Sequence, residues 1–186
     1  QKQHIEMART VAERFNSRFG NVFTVPHHRI PEVGARILDL QDPEKKMSTT
    51  GGSDQGTVFI LDQPDAIARK FKSAVTDSGN EIRRAPDKRG ISNLIEIMAV
   101  ARGITPEDVE GEYASDPGYA RFKEDVGSVV TEYLRPIRER YELIRPDESH
   151  LELILGEGAA NARAIAAKTV GTAADRMGLG PGSGAR

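Results

Sequence analysis

The stretch Lys45-Lys46-Met47-Ser48-Thr49-Thr50-Gly51-Gly52 has the residue types best suited to chemistry in this chain. Two cations are followed by small hydroxyl residues and two glycines. Glycines let backbone amides come close to an anion, and a lysine on its long stem can follow a phosphate as it moves. Such a loop suits a polyphosphate whose charge changes during reaction. Taken alone, a Lys-Lys pair ahead of Gly-Gly also fits an ordinary solvated turn, so the flanking sequence has to carry the argument. Histidine offers less. His27 and His28 are neighbours, and neighbours in an extended chain point to opposite faces. No carboxylate or third histidine stands at helix-ligand spacing from His4 or His150, so the ligand count of a metal site is not met. Glu96 and Asp125 read as helix-surface acids, not general bases. Arg83, Arg84, Lys88 and Arg89, with Arg135, Arg138 and Arg140 further on, are candidates for phosphate contact, although the same residues fit a solvated basic loop balanced by nearby acids.

These residues need elements to hold them. Ile5, Ala8, Val11 or Ala12, and Phe15 recur at spacings of three and four, which predicts an amphipathic helix over 4–18, ended by Gly20. Val22–Val25 and Val58–Leu61 are short strand candidates. Between 29 and 57 the prolines and glycines predict loops. From Asp62 onward the periodicity is helical. One helix carries Ile67, Phe71 and Ala74, and a second runs over 93–102 with Gly103 past its end. Thr105-Pro106-Glu107-Asp108 starts a third, with Thr as cap, Pro at the first helical position and acids at the positive helix end. The stripe Tyr119, Phe122, Val126, Val129, Tyr133, Ile137, Tyr141 and Ile144 predicts a long helix kinked at Pro136. Asp147 begins a last one through Leu151, Leu155, Ala159, Ile165 and Val170 to about Met177. The Gly-rich stretch 179–186 is expected to be disordered. The texture changes near residue 62, which predicts a mixed, loop-rich first third followed by an all-helical remainder.

Composition sets outer bounds. The chain has 186 residues, a formal charge of −2 and no cysteine. A disulfide framework and a thiolate metal site are excluded. No apolar run approaches the roughly 20 residues of a membrane span, and no signal-peptide pattern is visible at the start. Near-neutral charge argues against a nucleic-acid coat protein but allows a local basic patch.

The loop is embedded in a series of runs. Gln1-Lys2-Gln3-His4-Ile5-Glu6 is followed by Pro31-Glu32-Val33-Gly34-Ala35-Arg36-Ile37-Leu38-Asp39-Leu40. Asp42-Pro43 and the lysine loop come next, then Ala74-Val75-Thr76-Asp77-Ser78 and Gly90-Ile91-Ser92-Asn93-Leu94. Gly118-Tyr119, Phe122-Lys123 and Leu134-Arg135-Pro136-Ile137-Arg138 complete it. In that order and spacing the set resembles the bacterial tryptophanyl-tRNA synthetases, over essentially residues 1–178. The lysine loop is shared with other class I synthetases, including the tyrosyl enzymes, and the Val33–Ile37 and Ala74–Ser78 runs point to tryptophan.

The resemblance implies a fold of α/β followed by all-α. Residues 1–62 would be the C-terminal part of a Rossmann-type nucleotide-binding domain carrying the signature loop 46–50. Residues 63–178 would be a helical-bundle anticodon-binding domain. Lys46, Met47, Ser48, Thr49 and Thr50 match the family's Lys-Met-Ser-Lys-Ser loop, which closes on ATP, with Lys46 as the catalytic cation. Ile37 matches a position whose backbone meets the adenine, and Gln1 matches a glutamine that helps hold the amino acid substrate. The implied partners are ATP with Mg²⁺, tryptophan and tRNA(Trp), in a cytoplasmic homodimer with no membrane association. Two departures stand out. Thr49 replaces the second signature lysine, and the family's His-Ile-Gly-His-like motif is missing. The chain is therefore expected to be the C-terminal portion of a synthetase and inactive alone. A tyrosyl-type synthetase and a non-catalytic tRNA-binding or structural fragment are the alternatives.

Overall fold

The computed structural model describes residues 1–179. The described part is mostly helical: α1 (Lys2–Phe19), α2 (Pro64–Lys72), α3 (Arg89–Arg102), α4 (Pro106–Tyr113), α5 (Tyr119–Ile144) and α6 (Glu148–Met177). All six predicted helices are present, and their ends follow local chemistry. Thr105 Oγ1 accepts the Asp108 N–H (3.1 Å) while the Asp108 carboxylate accepts the Thr105 N–H (3.0 Å), a reciprocal capping box. Asp147 caps α6 by accepting the His150 N–H at 3.0 Å. Gly103 and Gly178 end α3 and α6 in the left-handed conformation that suits glycine. Pro136 lies inside α5, which continues to Ile144. The expectation of a disordered tail falls, apart from Leu179, outside the described residues.

The strands did not form. Among the described residues the β-structure amounts to one antiparallel bridge, Leu38 with Lys46. At 22–25 a side chain takes the place of a partner strand. Asn16 Oδ1 accepts the N–H groups of Val22 and Phe23 (both 3.0 Å), and its amide donates to the Phe23 carbonyl (2.7 Å). At 58–61 the Phe59 N–H donates to the Asp62 carboxylate (2.9 Å) and the Asp62 N–H to the Phe59 carbonyl (3.1 Å), which makes a turn. Backbone groups satisfied in these ways leave no ladder to build.

The described chain forms two compact units, one of residues 1–30 with 144–179 and one of residues 31–143. The segment 31–62 shares one core with α2–α5, because Leu40 is buried with Ile67 and Phe71 of α2, Ile91, Leu94, Ile95 and Met98 of α3, Val109 of α4, and Phe122 and Val126 of α5. Burying a side chain of this size stabilises by about 1.5–3 kcal/mol. The long α5 stripe is buried only in its first half: Phe122 and Val126 are buried, whereas Tyr133, Ile137 and Tyr141 are exposed. In the first unit α1 packs against α6, and Phe15 makes ring contacts with Phe19 and Phe23 at 4.9 and 4.8 Å. Of the predicted α6 stripe, Leu155, Ile165 and Val170 are exposed, and the buried α6 residue is Ala173, outside that stripe.

Candidate functional site

The lysine loop grows out of a tight turn. The Asp39 N–H donates to the Lys45 carbonyl and the Met47 N–H to the Ile37 carbonyl, both at 3.0 Å. This pairing sets Ile37 beside Lys46 and Met47. Asp39, 5 % exposed, shapes the turn from inside, with Oδ1 accepting the N–H groups of Gln41 (2.8 Å) and Asp42 (3.1 Å). An Asp that accepts amides two and three residues on is a strong turn former. Across the turn, the Leu40 N–H meets the Gly56 carbonyl at 2.9 Å, and the Val75 N–H meets the Leu40 carbonyl at 2.7 Å.

Asn93 on α3 completes the support. Its carboxamide accepts the Leu38 N–H (2.7 Å) and donates to the Leu38 carbonyl (2.9 Å), as a neighbouring strand would. Gly34 lies against α3 as well. Its N–H donates to Glu96 (2.8 Å), and a Cβ there would stand 2.4 Å from Val100, at a backbone φ of +72° that itself favours glycine.

Within the loop, the two lysines differ. Lys45 is held by the Asp42 carboxylate at 2.8 Å, and this hydrogen bond raises the ammonium and lowers the carboxyl from their ordinary pKa values. Lys46 is exposed and makes no ion pair among the described residues. Met47 is half-buried and borders an apolar hollow of about 170 Å³ together with Ile37, Val58, Val100, Tyr133 and Leu134. The Ser48 hydroxyl accepts the Thr50 N–H (3.3 Å), while the Ser48 carbonyl accepts the Gly52 N–H (3.2 Å) and the Thr57 hydroxyl (3.1 Å). A Cβ on Gly52 would stand 2.7 Å from that carbonyl. Thr49 and Thr50 are exposed. The arrangement is an anchored loop that presents one uncommitted ammonium with hydroxyls around it.

The structure thus brings Ile37 and residues 46–50 together. Gln1 lies in the other compact unit, at the start of α1, where its Oε1 shares a hydrogen bond with the His4 ring. Most of the candidate basic patch is engaged internally. Arg83 pairs with Glu81, Arg84 with Glu96, Glu107 and Glu110, Arg89 with Glu44, and Arg135 with Glu132 and Glu139. Arg138, 7 % exposed, donates to the Asp62 carbonyl at 3.0 Å.

Lys88 belongs to a half-buried polar joint. Its ammonium donates to Asp77 (2.9 Å) and to the Tyr119 hydroxyl (2.8 Å), and that hydroxyl donates to Asp77 (2.8 Å). Burial pushes the Asp77 carboxyl up, but the bonds from Lys88 and Tyr119 outweigh it and hold it below its ordinary value. Bonds to Tyr119 and Asp77 raise Lys88, and burial raises Tyr119. Next to it Gly90 lets α3 approach, since a Cβ there would be 2.1 Å from the Val75 carbonyl. The Ala74–Ser78, Gly90–Leu94 and Gly118-Tyr119 runs are therefore scaffold: they fasten α2, α3 and α5 around the loop.

One contributor was missed in the sequence. Lys70 is 3 % exposed and donates to the Thr57 carbonyl (2.8 Å) and the Asp62 carboxylate (2.7 Å). Its register gave a signal, because positions 67, 70, 71 and 74 form one helical face and the other three are apolar.

An exposed, uncommitted lysine on a loop fixed at both ends has the charge and the setting that phosphate chemistry could use. The family model for class I tRNA synthetases of the tryptophan and tyrosine group matches residues 1–135, and the chain belongs to that family. It is 47 % identical over 182 residues to a tryptophan–tRNA ligase of Oceanobacillus iheyensis, covering 97 % of this chain and 55 % of the relative. The corresponding protein of Wolinella succinogenes is 44 % identical, at 96 % and 54 % coverage. Among solved structures, tryptophanyl-tRNA synthetase from Mycoplasma pneumoniae superposes with a TM-score of 0.88 at 27 % identity, covering 98 % of this chain and 55 % of that one. The Campylobacter jejuni enzyme, solved with ADP and tryptophan, gives 0.63 at 28 % identity, over 96 % and 55 %. The chain spans about half the length of the curated relatives it matches.

Proposed function

We propose that the protein carrying these residues is a tryptophan–tRNA ligase and that they form its C-terminal portion. The reaction has two steps. The tryptophan carboxylate attacks the α-phosphate of ATP, giving tryptophanyl-adenylate and pyrophosphate. The tryptophanyl group then passes to the terminal ribose of tRNA(Trp), releasing AMP. The protein's task in the first step is to position the reactants and to stabilise charge on phosphate oxygens. The observation that carries this reading is the exposed, unpaired Lys46 beside Ile37 on an anchored loop. Lys46 would neutralise the departing pyrophosphate, Ile37 would offer backbone to the adenine, Met47, Ser48, Thr49 and Thr50 would close on the phosphates, and Gln1 would contact the amino acid.

Residues up to 62 would belong to the Rossmann-type nucleotide-binding domain, and residues 63–178 to the domain that meets the anticodon stem. Among the described residues no group of three or more His, Cys, Asp or Glu is disposed to hold a metal ion, so no side chain here is assigned to Mg²⁺. A cytoplasmic homodimer is part of the same proposal. No helix among the described residues is long and apolar enough to cross a membrane.

The test is Lys46→Ala in the full-length protein, read by pyrophosphate exchange. A positioned charge at a developing oxyanion is worth about 3 kcal/mol, so the rate should fall by about 100-fold. A rate within twofold of the parent refutes the assignment.

A further inference from the structure

A buried lysine requires a reason. Lysine is almost never fully buried without partners, and Lys70 sits on the core face of α2 between Ile67 and Phe71, 3 % exposed. Its ammonium is saturated on one side of the loop, by the Thr57 carbonyl at 2.8 Å and Asp62 at 2.7 Å, with Asp54 at 3.6 Å. Thr57 relays the contact. Itself 2 % exposed, it donates its hydroxyl to the Ser48 carbonyl at 3.1 Å, two residues beyond Lys46. The same carbonyl closes the loop by accepting the Gly52 N–H. A continuous polar path therefore runs from the core face of α2 to the backbone that carries the uncommitted ammonium.

We propose that Lys70 is a positioning residue: through Thr57 it fixes the Ser48 carbonyl and so sets where Lys46 stands against the polyphosphate. The inference rests on the reading of Lys46 given above. It deepens that reading by assigning the loop's geometry to a side chain outside it. A neutral residue of similar length at position 70 would fill the same space but leave the Thr57 carbonyl and Asp62 without their donor, so the loop's far anchor would loosen.

Two measurements test it. In the 186-residue chain, Lys70→Met should speed amide exchange of Gly52 at least about tenfold while Ile95 in the α3 core keeps its protection. In the full-length protein, Lys70→Met should lower kcat for pyrophosphate exchange about tenfold or more and leave KM for tryptophan unchanged. Thr57→Val keeps the Lys70–Asp62 pair and removes only the relay, and it should likewise slow pyrophosphate exchange. This second variant decides the matter if Lys70→Met does not fold. In a Lys46→Ala background, Lys70→Met should add less than about a twofold further loss, because both act through one ammonium. Fully multiplicative losses overturn the proposal. So do Lys70→Met and Thr57→Val enzymes that exchange at the parental rate. Lys46→Ala at the parental rate would instead defeat the underlying reading of the loop, and the Gly52 exchange result would still decide whether Lys70 orders it.

Discussion

Asn93 is the residue on which the loop's position can be tested without any assay of activity. Its carboxamide satisfies both backbone groups of Leu38, at 2.7 and 2.9 Å, and is itself 4 % exposed. Asn93→Ala removes both bonds and strands a donor and an acceptor. An unsatisfied buried backbone group costs about 1–3 kcal/mol. Here the cost falls toward the lower end, because an open hollow of about 300 Å³ lined by Leu38, Arg36, Ser92 and Asn93 lets water reach the orphaned groups. The expected loss is therefore about 2–3 kcal/mol, two groups at slightly more than the minimum each. Urea unfolding of the 186-residue chain measures it, with amide exchange at Leu38 as the local probe. Asn93→Asp sharpens the case. One carboxylate oxygen can still accept the Leu38 N–H, but the other faces the Leu38 carbonyl with no proton to offer, so it should destabilise as well. A loss below about 0.5 kcal/mol for Asn93→Ala, within the range of an ordinary surface substitution, with Leu38 exchange unchanged, would refute the view that Asn93 serves as the missing strand.

The joint of Asp77, Lys88 and Tyr119 predicts a pH dependence with two limbs. The Asp77 carboxyl is depressed from its ordinary 3.8, so its stabilisation is present above that value and is lost as pH falls through the lower folded value; Lys88 is raised from 10.5 and Tyr119 from 10.0, so theirs is complete below about pH 10 and lost as pH rises further. Asp77→Asn should flatten the acid limb of a stability profile taken by urea unfolding from pH 2 to 7, and an unchanged limb would refute the joint's role. Gly56→Ala places a Cβ about 1.9 Å from the Asp39 carboxylate, and a clash of that kind typically costs about 1–3 kcal/mol. A thermal melt indistinguishable from the parent would show that the 39–56 contact is not a fixed part of the loop.

What could be read from the sequence was local. The Thr105 cap, the start of the last helix at Asp147 and the Gly103 stop each depend on residues within one helical turn, and each is present in the structure. The two strands were misread for the opposite reason. Val22–Val25 and Val58–Leu61 have strand composition, but a strand is defined by its partner, and the partners are side chains: Asn16 for the first and Asp62 for the second. No periodicity records that substitution. The same holds for the site. The Lys46 loop was visible as a run of residue types, and Ile37 was reached through a family resemblance, not through any signal of its own. Lys70 was passed over because lysine on a helix usually means solvent, although its place among Ile67, Phe71 and Ala74 spoke against that. The apolar stripes of α5 and α6 were read correctly as helical faces, but a stripe does not say how much of itself is covered.

The replacement of the second signature lysine by Thr49 takes on a definite meaning in this geometry. Two cations remain near the loop, and the structure separates them. Lys45 is bound to Asp42 at 2.8 Å, but both side chains are exposed, so solvent screens the pair and it competes poorly with a stronger anion. A triphosphate carries several charges and would draw Lys45 away from a single carboxylate. Lys46 needs no such release. If the loop receives a triphosphate as proposed, it holds one ammonium ready and a second in reserve on Asp42. Around the loop, Arg89, Lys70 and Lys88 are paired with Glu44, Asp62 and Asp77. Removing Asp42 would free Lys45 without touching Lys46, which makes the Asp42–Lys45 pair, more than the identity of residue 49, the feature that sets how many positive charges the loop presents.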